Sequence, residues 1–263
     1  MGYAATIGFF DGLHRGHRFL IANMQLAAMS RGLKTALITF EQHPKPGMQL
    51  LTPYDERIML LKTAQMNQIF CFQFPVVQHM KAKEFLEVLR DRCEVKLLVM
   101  GYDHHFGADH AGFEQVQAMR LKGIEVIQAP QLEGVHISSS RIRELLRGGD
   151  IAAANEMLSY PYTLIGEVVH GKALGRQLGY PTANLQLPKD KLVPKRGVYA
   201  IKDGILNIGD TIEAHFVGKK AEEAKDLYGQ TIAVSLVKRL RDEMEFETTE
   251  ELKAQIEKDI SQL

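Results

Sequence analysis

The chain has no net charge: its 263 residues hold 32 lysines and arginines against 32 aspartates and glutamates. Without an excess of positive charge there is no bulk attraction to nucleic acid or an anionic membrane, so any phosphate ligand must be held by local arrangement. Cysteine is scarce. Cys71 and Cys93 stand far apart with no Cys-x-x-Cys spacing, which argues against a disulfide framework and fits two reduced thiols in a cytoplasmic protein. No apolar run approaches the roughly 18 residues of a membrane span. The start, Met1-Gly2-Tyr3-Ala4, has neither the basic nor the apolar region of a signal peptide. Repeats and low-complexity segments are also missing. What is there is an apolar fraction of 45%, enough for a real core. The expectation is a soluble cytoplasmic protein acting on small molecules, with no nucleic-acid or membrane partner, as a monomer or weak homo-oligomer.

Up to about residue 130, short apolar runs alternate with amphipathic stretches. The runs Ala4–Phe9, Thr35–Phe40, Ile69–Phe74, Lys96–Gly101 and Ile124–Gln128 are of strand length. Helical patterns lie between them: His17–Arg31, Tyr54–Gln65 with Thr52 as N-cap, Lys81–Arg92 and Phe113–Leu121. That alternation predicts βαβ units and a doubly wound parallel sheet, with ligands at the carboxyl ends of its strands. Two short helices follow, Ser140–Leu146 and Ile151–Leu158. From Tyr162 the grammar changes. Tyr162–Val169, Val198–Lys202, Ile212–Val217 and Thr231–Val237 read as strands separated by loops, which suggests a small closed antiparallel β-barrel. Thr249–Leu263 puts Leu252, Ile256 and Ile260 on one face, as expected of a C-terminal helix packed on that barrel. The fold class is thus α/β plus β, with domains at 1–150 and 151–263.

The first strand runs into Gly8-Phe9-Phe10-Asp11-Gly12-Leu13-His14-Arg15-Gly16-His17. A helix starting there offers free N–H groups and the positive end of its dipole. Gly16 lets phosphate approach the backbone, and the imidazoles of His14 and His17 would stabilise charge on a leaving pyrophosphate. Gly8, Asp11 and Gly16 are the accompanying phosphate-binding candidates. Ile137-Ser138-Ser139-Ser140-Arg141 opens a later helix, where Ser138, Ser139 and Arg141 combine hydroxyls and a guanidinium suited to phosphate. Together these segments predict a triphosphate site with Mg²⁺ as the partner of ATP, working by positioning and electrostatics rather than a covalent nucleophile. His43, His104 and His105 lack a tetrahedral ligand set, so they read as substrate-binding loop residues rather than zinc ligands.

In the second half, Gly171-Lys172-Ala173-Leu174-Gly175-Arg176 suits a loop over phosphates, carried by Gly171, Lys172, Gly175 and Arg176. Pro181 fixes the backbone so that the Thr182 hydroxyl and Asn184 amide could face one Mg²⁺. Glu213 alternates onto one face with Thr211 and His215, where its carboxylate could act as general base toward a substrate hydroxyl. The plain alternatives are an ordinary glycine-rich turn and a solvated strand glutamate.

Gly8–His17, Phe40–Pro44, Gly101–Gly107, Ile137–Arg143, Gly175–Asn184, Gly197–Ala200, Asn207–Gly209, Asp226–Gly229 and Leu240-Arg241, taken in order, resemble the prokaryotic bifunctional riboflavin kinase/FMN adenylyltransferases, also called FAD synthetases. The resemblance covers nearly the whole chain. It implies riboflavin plus ATP giving FMN in the barrel, with Thr182 and Asn184 at Mg-ATP and Glu213 as base. FMN plus a second ATP would then give FAD and pyrophosphate in the N-terminal domain, with His14, His17, Ser139 and Arg141 around the phosphates. The same resemblance assigns flavin or nucleotide contacts to Asp103 and Arg241.

The chain departs from the family pattern in its loops. His43-Pro44-Lys45-Pro46 and Lys202-Asp203-Gly204-Ile205 are short, and Gly209 meets Asp210-Thr211 with no Arg-Pro-Thr segment between them. Glu245 replaces a usual base, and His105 stands where a cation is common. Either part of a flavin pocket has been lost or segments that move over phosphates are missing from the sequence. An FMN adenylyltransferase with a degenerate barrel and a non-catalytic flavin- or nucleotide-binding regulator are the competing readings. A fragment of an aminoacyl-tRNA synthetase shares the His-x-Gly-His logic but not the zero charge or the barrel motif.

Overall fold

A computed structural model describes residues 2–132, 134, 137–171, 180–217 and 227–263. These fall into two compact units, Met1–Ser138 and Ser139–Leu263. The first is built on five parallel strands: β1 (Tyr3–Ile7), β2 (Lys34–Phe40), β3 (Gln68–Phe72), β4 (Val95–Met100) and β5 (Glu125–Gln128), in the order β3-β2-β1-β4-β5. Helices α1 (Arg15–Ser30), α2 (Tyr54–Lys62), α3 (Phe74–Val77), α4 (Ala82–Arg92) and α5 (Phe113–Ala118) connect them. Neighbouring residues feed opposite cores: Ala4, Leu37 and Leu97 face one, Ala5, Ile38 and Leu98 the other. Burial on both faces is why these strands read as unbroken apolar runs. The chain winds outward from β1 to β3, then crosses back to β4. The carboxyl ends of β1 and β4 therefore flank the switch point where doubly wound sheets bind ligands. Gly8–His17 follows one of those ends and Gly101–Gly107 the other.

The second unit begins with α6 (Ser139–Gly148) and α7 (Ile151–Leu158). Six strands follow: β6 (Thr163–Val169), β7 (Thr182–Gln186), β8 (Gly197–Ile201), β9 (Gly204–Ile208), β10 (Ile212–Phe216) and β11 (Thr231–Arg241). They close an antiparallel barrel in the order β10-β7-β6-β11-β8-β9, and helix α8 (Thr249–Ile260) ends the chain. Leu164, Ala183, Leu185, Leu206, Ala214, Val234 and Leu236 are buried, and the alternation along β7 and β10 leaves Thr182, Asn184, Glu213 and His215 on the opposite parity.

Two strands were not legible as such. β7 carries the polar end of what reads as a phosphate loop. β9 follows β8 after only Lys202-Asp203, with Ile201 paired to Gly204. The connection from β9 to β10 is equally short: Ile208 pairs with Ile212, and Gly209 N–H donates to the Thr211 carbonyl at 3.0 Å. The short segments near 202–205 and 209–210 are thus tight hairpin ends.

Candidate active sites

At the end of β1 the backbone makes a contorted turn. Phe10 (φ 58°), Gly12 (φ 80°) and Leu13 (φ 36°) all lie at positive φ, which for the two side-chain-bearing residues is a strained conformation of the kind found at functional sites. Buried bonds hold it. Asp11 is 2% exposed, and its carboxylate accepts from Leu51 N–H (3.0 Å), Thr52 N–H (2.8 Å) and the Thr52 hydroxyl (3.1 Å). The Thr52 hydroxyl in turn accepts from Gly12 N–H at 2.9 Å. Two expectations change here. Asp11, a phosphate-binding candidate in the sequence, has both oxygens engaged with the strand-to-helix loop and acts as a brace. Thr52 does not cap α2, whose N-cap is Pro53, because its hydroxyl serves the turn instead.

His14 is the N-cap of α1, its Nδ1 accepting from His17 N–H at 3.3 Å. The two imidazoles stack with centroids 3.6 Å apart, and the Phe10 ring meets His17 edge-on at 5.3 Å. The glycines make room for this. A β-carbon on Gly16 would press on the His14 ring at 3.3 Å and lie 3.7 Å from the Ile137 carbonyl, while one on Gly8 would press on the Phe10 ring at 3.2 Å. Burial, and after it the neighbouring His14, hold the His17 pKa well below the usual histidine value, so the ring is neutral at physiological pH. Its Nδ1 is buried with no hydrogen-bond partner. A neutral imidazole N–H at a helix start can donate a hydrogen bond to an anion.

Sequence reasoning missed Arg57. Its guanidinium is fully buried, donates to the carbonyls of Phe9 (2.9 Å), Phe40 (2.7 Å) and Glu41 (3.2 Å), and lies 3.6 Å from the centre of the Phe9 ring. It fastens the ends of β1 and β2 together. An arginine in an amphipathic helix reads as solvated, and only the fold brings three carbonyls to it.

Across the switch point, Asp103 is exposed on the loop after β4, its carbonyl 3.0 Å from His105 Nδ1. Desolvation pulls the adjacent His104 down to about 4, against the opposing charge of Asp103. An unfolded histidine takes up its proton near pH 6.5. Between those values the unfolded chain binds more protons, so this contribution to stability is complete above about pH 6.5 and is lost as pH falls through 4. Urea denaturation of the first unit is expected to show a falling midpoint over that interval, and His104→Phe a flatter profile; equal slopes would contradict the assignment.

In the second unit, Ser139 opens α6, and Arg141 pairs with Glu144 at 3.1 Å on the helix surface; Ser138 is the last residue of the first unit. Lys172, Gly175 and Arg176 lie outside the described residues. Gly171 is described: a β-carbon there would clash with the Asn184 side-chain amide. The register pairs Glu213 with Asn184 and with Asn207, and His215 with Thr182. The Thr211 hydroxyl donates to Glu213 Oε1 at 2.7 Å, and the Thr182 hydroxyl lies 3.5 Å from Oε2. His215 Nδ1 sits 3.0 Å from the Pro181 carbonyl, tying down the segment that carries Thr182.

Of these side chains, Thr182, Asn207, Glu213 and His215 line a cleft of about 330 Å³. Val198, Ile205, Met244, Phe246, Leu252 and Ile256 give it an apolar lining, with Arg241, Glu243 and Asp259 at polar positions. An apolar slot with a few converging polar groups is the usual form of a small-molecule site. Helix α8 packs against the barrel as expected, and its Leu252 and Ile256 line the cleft as well. Arg241 is engaged by Asp259 through Nε (3.1 and 3.0 Å) and Nη2 (2.8 Å).

Comparison with known proteins agrees with this division. The FAD synthetase family model matches residues 1–141 and the riboflavin kinase model residues 158–263. The bifunctional riboflavin kinase/FMN adenylyltransferase of Escherichia coli K12 is 33% identical over 288 residues, covering 98% of this chain and 90% of the relative. That of Bacillus subtilis is 31% identical over 283 residues, covering 97% and 89%. Both matched stretches exceed the 263 residues of this chain, so the relatives carry residues inside the match that it lacks. A solved structure described as a macrolide-efflux protein from Streptococcus pneumoniae superposes with a TM-score of 0.84 at 27% identity, covering 98% of this chain and 92% of that one. Among the described residues no helix is long and apolar enough to cross a membrane. With both halves matched in order and a relative aligned along almost its whole length, the chain belongs to the family of bifunctional riboflavin kinase/FMN adenylyltransferases.

Proposed function

We propose that the chain makes FAD in two steps, phosphorylating riboflavin in the barrel cleft and adenylylating FMN at the carboxyl end of the parallel sheet. The observation that carries the first step is the Glu213 carboxylate, oriented by Thr211 beside Thr182 at the edge of an apolar cleft. In that reading the flavin ring occupies the apolar part of the cleft. The ribityl primary hydroxyl gives its proton to Glu213 as its oxygen bonds to the γ-phosphorus of ATP, and the bond to the ADP oxygen breaks. In the second step a phosphate oxygen of FMN attacks the α-phosphorus of another ATP and pyrophosphate leaves past His14 and His17. No covalent enzyme intermediate is needed, so the protein contributes position and charge.

Magnesium suits the barrel donors. Asn184 Oδ1 is buried without a hydrogen-bond partner, and the Thr182 hydroxyl lies on the same strand face. Neutral oxygens of this kind, completed by phosphate oxygens and water, make an all-oxygen set that Mg²⁺ accepts. When bound, the ion would neutralise triphosphate charge; Thr182 and Asn184 would hold it. Among the described residues no cluster of three acidic, histidine or cysteine side chains offers an alternative cation site. Ser138, Ser139, Arg141, Gly171, Lys172, Gly175 and Arg176 are retained as phosphate ligands on their chemistry, and Asp103 as a flavin or nucleotide contact.

The test is incubation with riboflavin, ATP and Mg²⁺, followed by chromatographic separation of riboflavin, FMN and FAD. Both products are expected, and neither with excess EDTA. FAD from supplied FMN but none from riboflavin would establish the degenerate-barrel alternative; no product from either would leave a binding protein.

A further inference from the structure

Helix α8 is attached in an unusual way. Twelve residues make a marginal helix in water, and such a helix ordinarily gains its stability by burying an apolar face. Here Leu252, Ile256 and Ile260 are only half-buried, and the one buried residue of the helix is Asp259, at 0% exposure. An isolated carboxylate could not remain charged there. It is met by a fork: Arg241, from the end of β11, donates to it through Nε and Nη2, and Gln255 Nε2 donates to Oδ1 at 2.8 Å. Arg241 Nη1 is itself held by the Asp242 carbonyl at 3.0 Å. The Tyr180 hydroxyl also donates to Glu257 on the same helix at 3.0 Å.

Compared with an apolar pair of equal volume, a buried ion pair adds little net stability, but it has direction where apolar contact has none. Apolar residues at 241 and 259 would let α8 settle onto the barrel and fill the space beside it. The charged fork gives the helix a directional anchor and leaves Leu252 and Ile256 lining the cleft.

Resting on the reading of the cleft given above, we propose that Asp259 is a positioning residue for the riboflavin step, holding α8 through Arg241 as the wall against which the flavin ring packs. Asp259 touches neither the reacting hydroxyl nor the phosphates in this assignment. Its loss should therefore weaken flavin binding and spare the chemistry.

The test is Asp259→Asn in the intact 263-residue chain, which keeps size and one acceptor but removes the charge that Arg241 grips. Titration by quenching of riboflavin fluorescence, without ATP, is expected to give a Kd raised about tenfold, and steady-state phosphorylation a KM for riboflavin raised in step. The kcat, the KM for ATP and adenylylation of supplied FMN should stay within about twofold of wild type. An unchanged Kd, or a fallen kcat with unchanged Kd, overturns the proposal. Should the barrel of this variant lose its cooperative thermal transition, Asp259→Glu decides. It keeps the charge but, one methylene longer, shifts the fork and with it α8, and the same KM-against-kcat split is expected at about threefold; wild-type affinity in that variant overturns the proposal too. Wild-type protein that fails to bind riboflavin would instead overturn the reading of the cleft, and the inference with it.

Discussion

Replacing Glu213 by glutamine is expected to slow riboflavin phosphorylation by roughly 10²–10⁴-fold while adenylylation of supplied FMN keeps its rate. A primary hydroxyl is a poor nucleophile until a positioned base takes its proton. Glutamine can still accept the Thr211 hydroxyl bond that orients Glu213, so the geometry should survive. What it cannot do is receive the proton. A merely structural strand glutamate would respond differently, changing stability by about 0.5 kcal/mol and leaving rates alone. The adenylyl activity of the same molecule is the internal control for folding. If the wild-type chain phosphorylates riboflavin and the variant does so equally well, Glu213 is not the base.

The second large effect is expected at the other site. His17→Ala should cut conversion of FMN to FAD by roughly 10²–10³-fold, the usual cost of one oriented donor at a developing charge. Riboflavin phosphorylation should be nearly unaffected. Two features support choosing His17 for this test: its stacking on His14 and a pKa held low by burial. Stacking fixes the ring and burial keeps it neutral, with one N–H left to donate. Equal loss of both activities, in a chain that still melts cooperatively, would remove His17 from the adenylyl site.

The parts of this molecule legible in the sequence were those governed by local pattern. Runs such as Thr35–Phe40 and Lys96–Gly101 declared a parallel sheet because both their faces are buried, and β2 and β4 lie within a residue of those limits. Glu213 and Asn184 could be linked only through the family resemblance; their cross-strand pairing appears once β7 and β10 are in register. Asp11 looked like a phosphate ligand because the sequence gives no sign that Leu51 and Thr52 fold back onto it, forty residues away along the chain. Arg57 and Asp259 were invisible for a related reason. A charged residue in an amphipathic helix reads as solvent-facing, and its burial depends on partners contributed by distant strands. The helix at the C-terminus was found from its spacing. That its apolar side lines a cleft was not, since periodicity reports that a face is apolar and not what covers it.

The loop joining β2 to α2 is fixed at both of its ends. Arg57 grips the carbonyls of Phe40 and Glu41 where it leaves the sheet, and Asp11 grips Leu51 and Thr52 where it returns. A rope moored at two posts can be lengthened or shortened without moving the posts. For a flexible loop, each doubling of length costs only about 0.6 kcal/mol of closure entropy, and none of that cost need reach the turn that Asp11 braces. The abbreviated His43-Pro44-Lys45-Pro46 stretch can therefore differ in length from its relatives while His14 and His17 keep their places. What lies between the moorings can be edited without disturbing the turn that carries His14 and His17.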